Sequence, residues 1–162
     1  MADIKSLFLD HVAQVVGSPS ALVIDRAEGN YLYDPEGKGY LDFISGISVA
    51  NLGHGHPKVV ASVLEQLKKH MHVMVYGEFA IGPQAKLAQK TLEKLHPCMD
   101  RVYFVNSGTE AIEASMKIAK KYTGRSQFIS FENSYHGSTH GSLSIQGSDK
   151  YKGGYYPLLP DT

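Results

Sequence analysis

Positions Leu7, Phe8, His11, Val12, Val15 and Val16 recur at helical spacing, which predicts an amphipathic helix over residues 3–16, ended by Gly17-Ser18-Pro19. The period then shortens. Three strand-like runs follow at 22–24, 31–33 and 40–43. Glu28-Gly29-Asn30 and Asp34-Pro35-Glu36-Gly37-Lys38-Gly39 separate them, and both are turn chemistry. The pattern predicts a small antiparallel meander.

The character changes after Gly46. Gly53-His-Gly-His-Pro57 reads as a loop, and Pro57 suits the first position of a helix that carries Val59, Val60, Val63, Leu64 and Leu67 to about Lys69. Pro83 opens another helix, with Leu87, Ala88, Leu92 and Leu95. Residues 102–105 read as a strand, and Ile112, Met116, Ala119 and Tyr122 mark one face of the helix that follows. Residues 127–131 read as a further strand. Strand, helix and strand with short loops make a βαβ unit with parallel strands and a right-handed crossover. This unit has too few strands to be covered on both faces, so the chain reads as the front part of a larger α/β protein. The pattern divides it into 1–50, helix and meander, and 51–162, the start of a large domain.

Composition narrows the partners. Lysine plus arginine and aspartate plus glutamate both number 16, so net charge gives no case for nucleic acid or an anionic membrane surface. One cysteine, Cys98, excludes an intrachain disulfide and fits a cytoplasmic setting. The first residues lack the basic cap and continuous apolar centre of a signal peptide, and no apolar run approaches the roughly 20 residues needed to span a bilayer. The expectation is a protein without nucleic-acid or membrane partners.

The chemistry concentrates where the apolar run 102–105 stops at Asn106-Ser107-Gly108-Thr109. Ser107 followed three residues later by Glu110 matches a capping box. The same turn can hold an anion. The first N–H groups of a helix lack intrahelical acceptors, Gly108 permits close approach, and Ser107 and Thr109 add hydroxyls. The spacing G-x-x-x-x-G-K-[ST] is absent, as is G-x-G-x-x-G after a strand, so neither a P-loop nor a dinucleotide site is supported. The second polar stretch, Tyr135-His136-Gly137-Ser-Thr-His-Gly141, follows the next strand-like run, and an aromatic ring there could stack on a planar cofactor. A serine hydrolase would need G-x-S-x-G, but Thr139 stands at the centre of Gly137–Gly141. His54 and His56, without cysteine or carboxylate partners at ligand spacing, do not read as a metal site.

Asn106-Ser-Gly-Thr-Glu-Ala111 followed by Tyr135-His-Gly137 resembles the class III, ornithine- and acetylornithine-type, pyridoxal-phosphate-dependent aminotransferases. So do Asp34-Pro-Glu-Gly37, Tyr40-Leu-Asp-Phe43, Ser45-Gly-Ile47, Leu52-Gly-His-Gly-His-Pro57 and Gly153-Gly-Tyr-Tyr-Pro157, in the family's order and spacing. The resemblance implies an α/β fold, the front part of a fold-type I PLP-dependent transferase. It implies that Ser107, Gly108 and Thr109 cradle the cofactor phosphate, with Ser107 and the two following amides as donors. It implies that Tyr135 stacks on the pyridine ring, with His136 beside it. Ile47 and Tyr76 align with segments that line the substrate pocket in relatives. The implied partners are an amino or ω-amino donor, a 2-oxo acid and a second copy of the chain in a homodimer.

The family also needs a lysine that holds the cofactor covalently and moves a proton, and an aspartate that keeps the pyridine nitrogen protonated. Both come well after Tyr-His-Gly in the family, and no lysine here, Lys150 and Lys152 included, lies in a matching segment. The expectation is therefore an N-terminal portion that has no catalytic residue, holds pyridoxal 5′-phosphate weakly or not at all, and is inactive alone. Two other classes stay open: a non-catalytic module for a phosphorylated ligand or a partner subunit, and a serine hydrolase, which the missing nucleophile elbow disfavours.

Overall fold

A computed structural model of the chain describes residues 3–74 and 77–160. It consists of two compact units, 1–78 and 79–162.

The first unit opens with α1, Ile4–His11, shorter than the predicted 3–16. The Gln14 side-chain amide donates to the carbonyls of Phe8 and Val12, at 3.2 and 2.6 Å, and so closes the helix where the apolar period would have continued it. The meander follows as β1 Arg26–Glu28, β2 Tyr31–Tyr33 and β3 Gly39–Leu41, antiparallel and in sequence order. Its first strand lies later than the run at 22–24. The two-residue turn Gly29-Asn30, with Gly29 at φ +56°, pairs Glu28 with Tyr31, so the residues just before the turn form the ladder. Between β2 and β3, Asp34 Oδ1 accepts the Lys38 N–H at 2.8 Å and Oδ2 accepts the Tyr40 hydroxyl at 2.9 Å. The meander is tied to the following loop by reciprocal backbone bonds between Gly29 and His54, 2.7 and 3.0 Å.

Past β3 the backbone makes one left-handed turn, α2 Ser45–Ser48. Ser45, Gly46, Ile47 and Ser48 all have φ between +52° and +64°. Three of these are not glycine, and a β-branched residue such as Ile47 is a genuine outlier there. Asp42 holds the turn. One carboxylate oxygen accepts the N–H groups of Ile44 and Ser45, at 3.1 and 2.8 Å, and the other meets His54 Nε2 at 2.7 Å. Helix α3, Pro57–Lys69, then runs as predicted from its proline, with Lys68 and Lys69 in its last turn, where they oppose the negative end of the dipole.

In the second unit, α4 spans Gly82–Leu92 with Pro83 in its first turn. It stops short of Leu95 because Lys94 and Leu95 bond back by three residues, to Thr91 and Leu92. Helix α5, Gly108–Thr123, ends at Gly124 in the left-handed conformation, φ +70°. Helix α6, His140–Ser144, packs on α5, and a 3-10 turn follows at Asp149–Tyr151. Met116 and Leu143 are buried between these elements, together with Ser142, Ser144 and Gln146. The runs 102–105 and 127–131 are not strands: among the described residues the sheet contains only β1–β3. A parallel strand needs a hydrogen-bonded neighbour, and neither run has one here. The expected βαβ pairing is therefore not formed within these residues.

Candidate functional site

The second unit has an open cleft of about 490 Å³ lined by Gly108, Thr109, Ile112, Tyr135, His136, Gly137 and Ser138. Ser107 lies at its edge as the N-cap of α5: its hydroxyl oxygen accepts the Glu110 N–H at 3.3 Å, which leaves its own proton free to donate outward. Glu110 reaches back, but to Asn106 N–H, at 2.6 Å, one residue before the cap. Gly108 and Thr109, the first residues of the helix, have N–H groups without intrahelical acceptors. Replacing Ser107 with alanine should cost roughly 1 kcal/mol of stability, the usual value of an N-cap, read from the urea midpoint of the chain.

The Thr109 hydroxyl has a different role from the one expected. Its oxygen lies 2.7 Å from both Thr139 Oγ1 and Ser142 Oγ. Thr139 Oγ1 donates to Glu113 Oε1 at 2.5 Å. Burial pushes the Glu113 carboxyl up, but the Thr139 hydroxyl, the backbone of Ser142 and Gly141, and nearby His140 outweigh it, so its pKa lies below the usual carboxylate range. An ionised Glu113 can only accept, which orders the protons. Thr139 donates to Glu113, Ser142 donates to the Thr139 carbonyl at 3.1 Å, and the Thr109 hydroxyl therefore donates to the Thr139 or Ser142 hydroxyl oxygen. Thr109 therefore has no proton left for the cleft and offers it only a backbone N–H.

The opposite wall is held as tightly. Gly137, at φ +126°, lies so close to Thr109 that a Cβ there would come within 2.5 Å of the Thr109 Cβ. Gln146, 2% exposed, accepts the His136 N–H through its side-chain oxygen at 2.7 Å. The Tyr135 ring stays 62% exposed, meets Tyr151 edge-on at 5.7 Å between centroids, and its hydroxyl lies 3.1 Å from Ser138 Oγ. The fold thus brings Gly108, Thr109, Tyr135 and His136 to one cleft, with Ser107 adjoining. Ile47 belongs to the other unit, 85% exposed on the left-handed turn. Tyr76 lies outside the described residues. Sequence reasoning missed Glu113, Thr139, Ser142 and Gln146. The one available signal was the i, i+4 spacing of Thr109 and Glu113, which puts both on one helical face.

The family model for class-III aminotransferases matches residues 12–162. The chain belongs to that family. It is 48% identical over 141 residues to the acetylornithine aminotransferase of Aquifex aeolicus, covering 83% of this chain and 36% of that protein. It is 46% identical over 143 residues to the putative [LysW]-aminoadipate semialdehyde/glutamate semialdehyde transaminase of Pyrococcus abyssi, with 86% and 37% covered. The chain thus spans little more than a third of the length of these relatives. Its structure is similar to adenosylmethionine-8-amino-7-oxononanoate aminotransferase from Methanocaldococcus jannaschii, TM-score 0.88 at 30% identity, over 96% of this chain and 38% of that one. It is also similar to the taurine:2-oxoglutarate aminotransferase of Bifidobacterium kashiwanohense, solved with PLP and glutamate, TM-score 0.83 at 33% identity, over 92% and 34%. Over the part it spans, the fold is that of the fold-type I aminotransferases.

Proposed function

We propose that this chain supplies the phosphate cup and one ring-stacking wall of a pyridoxal-phosphate-dependent aminotransferase that moves an amino group from an amino or ω-amino donor to a 2-oxo acid. One observation carries the reading: the donor-rich start of α5 and the half-exposed ring of Tyr135 lie on the same cleft. The Ser107 hydroxyl and the N–H groups of Gly108 and Thr109 suit an anionic ester, and hydrogen bonds to a charged group contribute about 1.5–3 kcal/mol each. Tyr135 offers an aromatic face to a planar ring beside that ester. His136, fixed through its backbone by Gln146, borders the same space. Bound pyridoxal phosphate supplies the electron sink that amino transfer needs.

The residues lining the cleft include no lysine. The 162 residues alone are therefore expected to hold the cofactor weakly at most, without turning over. A cytoplasmic homodimer with further residues completing the site belongs to the same proposal. Among the described residues no helix is long and apolar enough to cross a membrane.

The test uses pyridoxamine 5′-phosphate, whose amine cannot condense with surface lysines. Phosphorus-NMR titration of the chain should give saturable binding, and pyridoxamine without the phosphate should bind at least tenfold more weakly in a parallel proton-NMR titration. Equal affinity for the two would refute the phosphate cup. In a coupled assay with N-acetylornithine, 2-oxoglutarate and excess cofactor, the 162 residues should show no steady transfer; sustained turnover would overturn the expectation of inactivity.

A further inference from the structure

The cleft has a rigid floor and a wall that must be held against it. The floor is α5, anchored in its own hydrogen-bonded turns. The wall is the loop from Tyr135 to Ser138, which carries no regular structure. Close packing of Gly137 on Thr109 keeps the wall in place, but packing alone does not set where the loop turns next. That is decided at Glu113.

Glu113 lies one turn after Thr109 on the same face of α5. Its Oε1 accepts both the Thr139 hydroxyl, at 2.5 Å, and the Ser142 N–H, at 3.0 Å. Thr139 is the N-cap residue of α6 and makes no side-chain cap bond of its own. Its hydroxyl goes to Glu113 instead, and the Glu113 carboxylate takes over the unpartnered N–H at the start of α6 from a separate helix. Gly141 shows how closely the carboxylate fits: a Cβ there would lie 2.8 Å from Glu113 Cδ, so any larger residue would push the carboxylate from its place. The same carboxylate fixes the direction of the Thr139 hydroxyl, whose oxygen lies 2.7 Å from Thr109 Oγ1, while the Ser142 hydroxyl donates to the Thr139 carbonyl.

We propose that Glu113 is a positioning residue for the ring-stacking wall: by capping α6 and accepting the Thr139 hydroxyl, which packs on Thr109, it holds the 135–138 loop, and with it Tyr135, over the start of α5. The inference rests on the cofactor reading above. It separates two tasks. The anion cup consists of Ser107 and two backbone N–H groups, none of which bonds to Glu113. The ring wall depends on the loop that Glu113 holds.

The separation gives the test. In Glu113→Ala, which removes the acceptor of both bonds, affinity for pyridoxamine 5′-phosphate should fall at least fivefold, while affinity for inorganic phosphate stays within twofold. In a Tyr135→Ala background, the same substitution should change pyridoxamine 5′-phosphate binding less than twofold, because the ring contact it acts through is already gone. Equal loss for both ligands, or loss for neither, would overturn the proposal. Should the unaltered chain bind neither ligand, the cofactor reading fails by itself. The positioning role is then decided by amide exchange in Glu113→Ala: faster by at least tenfold at Thr139, Gly141 and Ser142 with residues 116–123 of α5 unchanged supports it, and unchanged exchange at all of them overturns it.

Discussion

Gly137→Ala is expected to remove the cleft. The residue has φ +126°, outside the range that side chains tolerate, and its new Cβ would lie 2.5 Å from Thr109 Cβ and 2.8 Å from Ser142 Oγ. Two costs add. A non-glycine residue in such a conformation costs about 1–3 kcal/mol, and forcing a methyl into a filled site costs roughly 1–3 kcal/mol. Relief in either direction damages the site. If the loop moves off α5, Tyr135 leaves the phosphate turn. If Thr109 rotates, its hydroxyl loses the Thr139 and Ser142 oxygens. The urea midpoint followed by far-ultraviolet circular dichroism should drop by an amount equivalent to about 2–6 kcal/mol, and pyridoxamine 5′-phosphate binding should weaken by more than tenfold. Gly153→Ala is the control, since a Cβ there meets nothing within 4 Å and its φ is not positive. Equal stability of the two variants would show that the contact is not rigid.

The second large effect is expected from Asp42→Ala. Ser45, Ile47 and Ser48 are held left-handed, at about 1–2 kcal/mol for each such residue. What compensates is local: the Asp42 carboxylate, with its side chain only 7% exposed, binds Ile44 N–H, Ser45 N–H and His54 together. Without it the turn has no reason to stay left-handed, and amide exchange at Ile44 and Ser45 should rise by at least tenfold while β2 and β3 stay protected. Acid should mimic the substitution. The Ser45 N–H first, then His54, lower the Asp42 pKa below 3.8 against the opposing effect of burial. A carboxylate whose pKa is depressed by folding stabilises fully above its unfolded pKa, and that contribution is lost as pH falls through the lower, folded value. The turn should therefore loosen below about pH 3.8 in the unaltered chain, and the variant should lack that step. An acid transition at 44–48 unchanged by the substitution would remove Asp42 from the account.

Legibility in the sequence followed the range of each interaction. Pro57, Pro83 and Ser107 announce helix starts through their own backbone chemistry, and α3, α4 and α5 begin where those residues predict. Tyr31–Tyr33 was readable because a two-residue turn sits directly before it. The runs at 102–105 and 127–131 look like strands in composition, but a strand is a relation between two segments and their partners are not among the described residues. The left-handed turn could not be anticipated, because Ile47 argues against that conformation and only the Asp42 and His54 contacts overrule it. At the site, the motif residues Gly108, Thr109, Tyr135 and His136 were legible as a group. The Glu113–Thr139 bond spans 26 residues and nothing in local spacing announces it.

The start of α5 also limits how firmly any ester can be kept. One amide of the turn, Asn106 N–H, is already committed to Glu110, and the Thr109 hydroxyl is turned inward. Ser107 and the two free amides supply three donors to an ester whose three terminal oxygens accept more than one bond each. On the proposed reading the remaining places are left to water, and the carboxylate of Glu110 would oppose an approaching dianion. A ligand held this way would exchange with free orthophosphate from the solvent, so phosphate-buffered solutions should compete for the turn and conceal its occupancy.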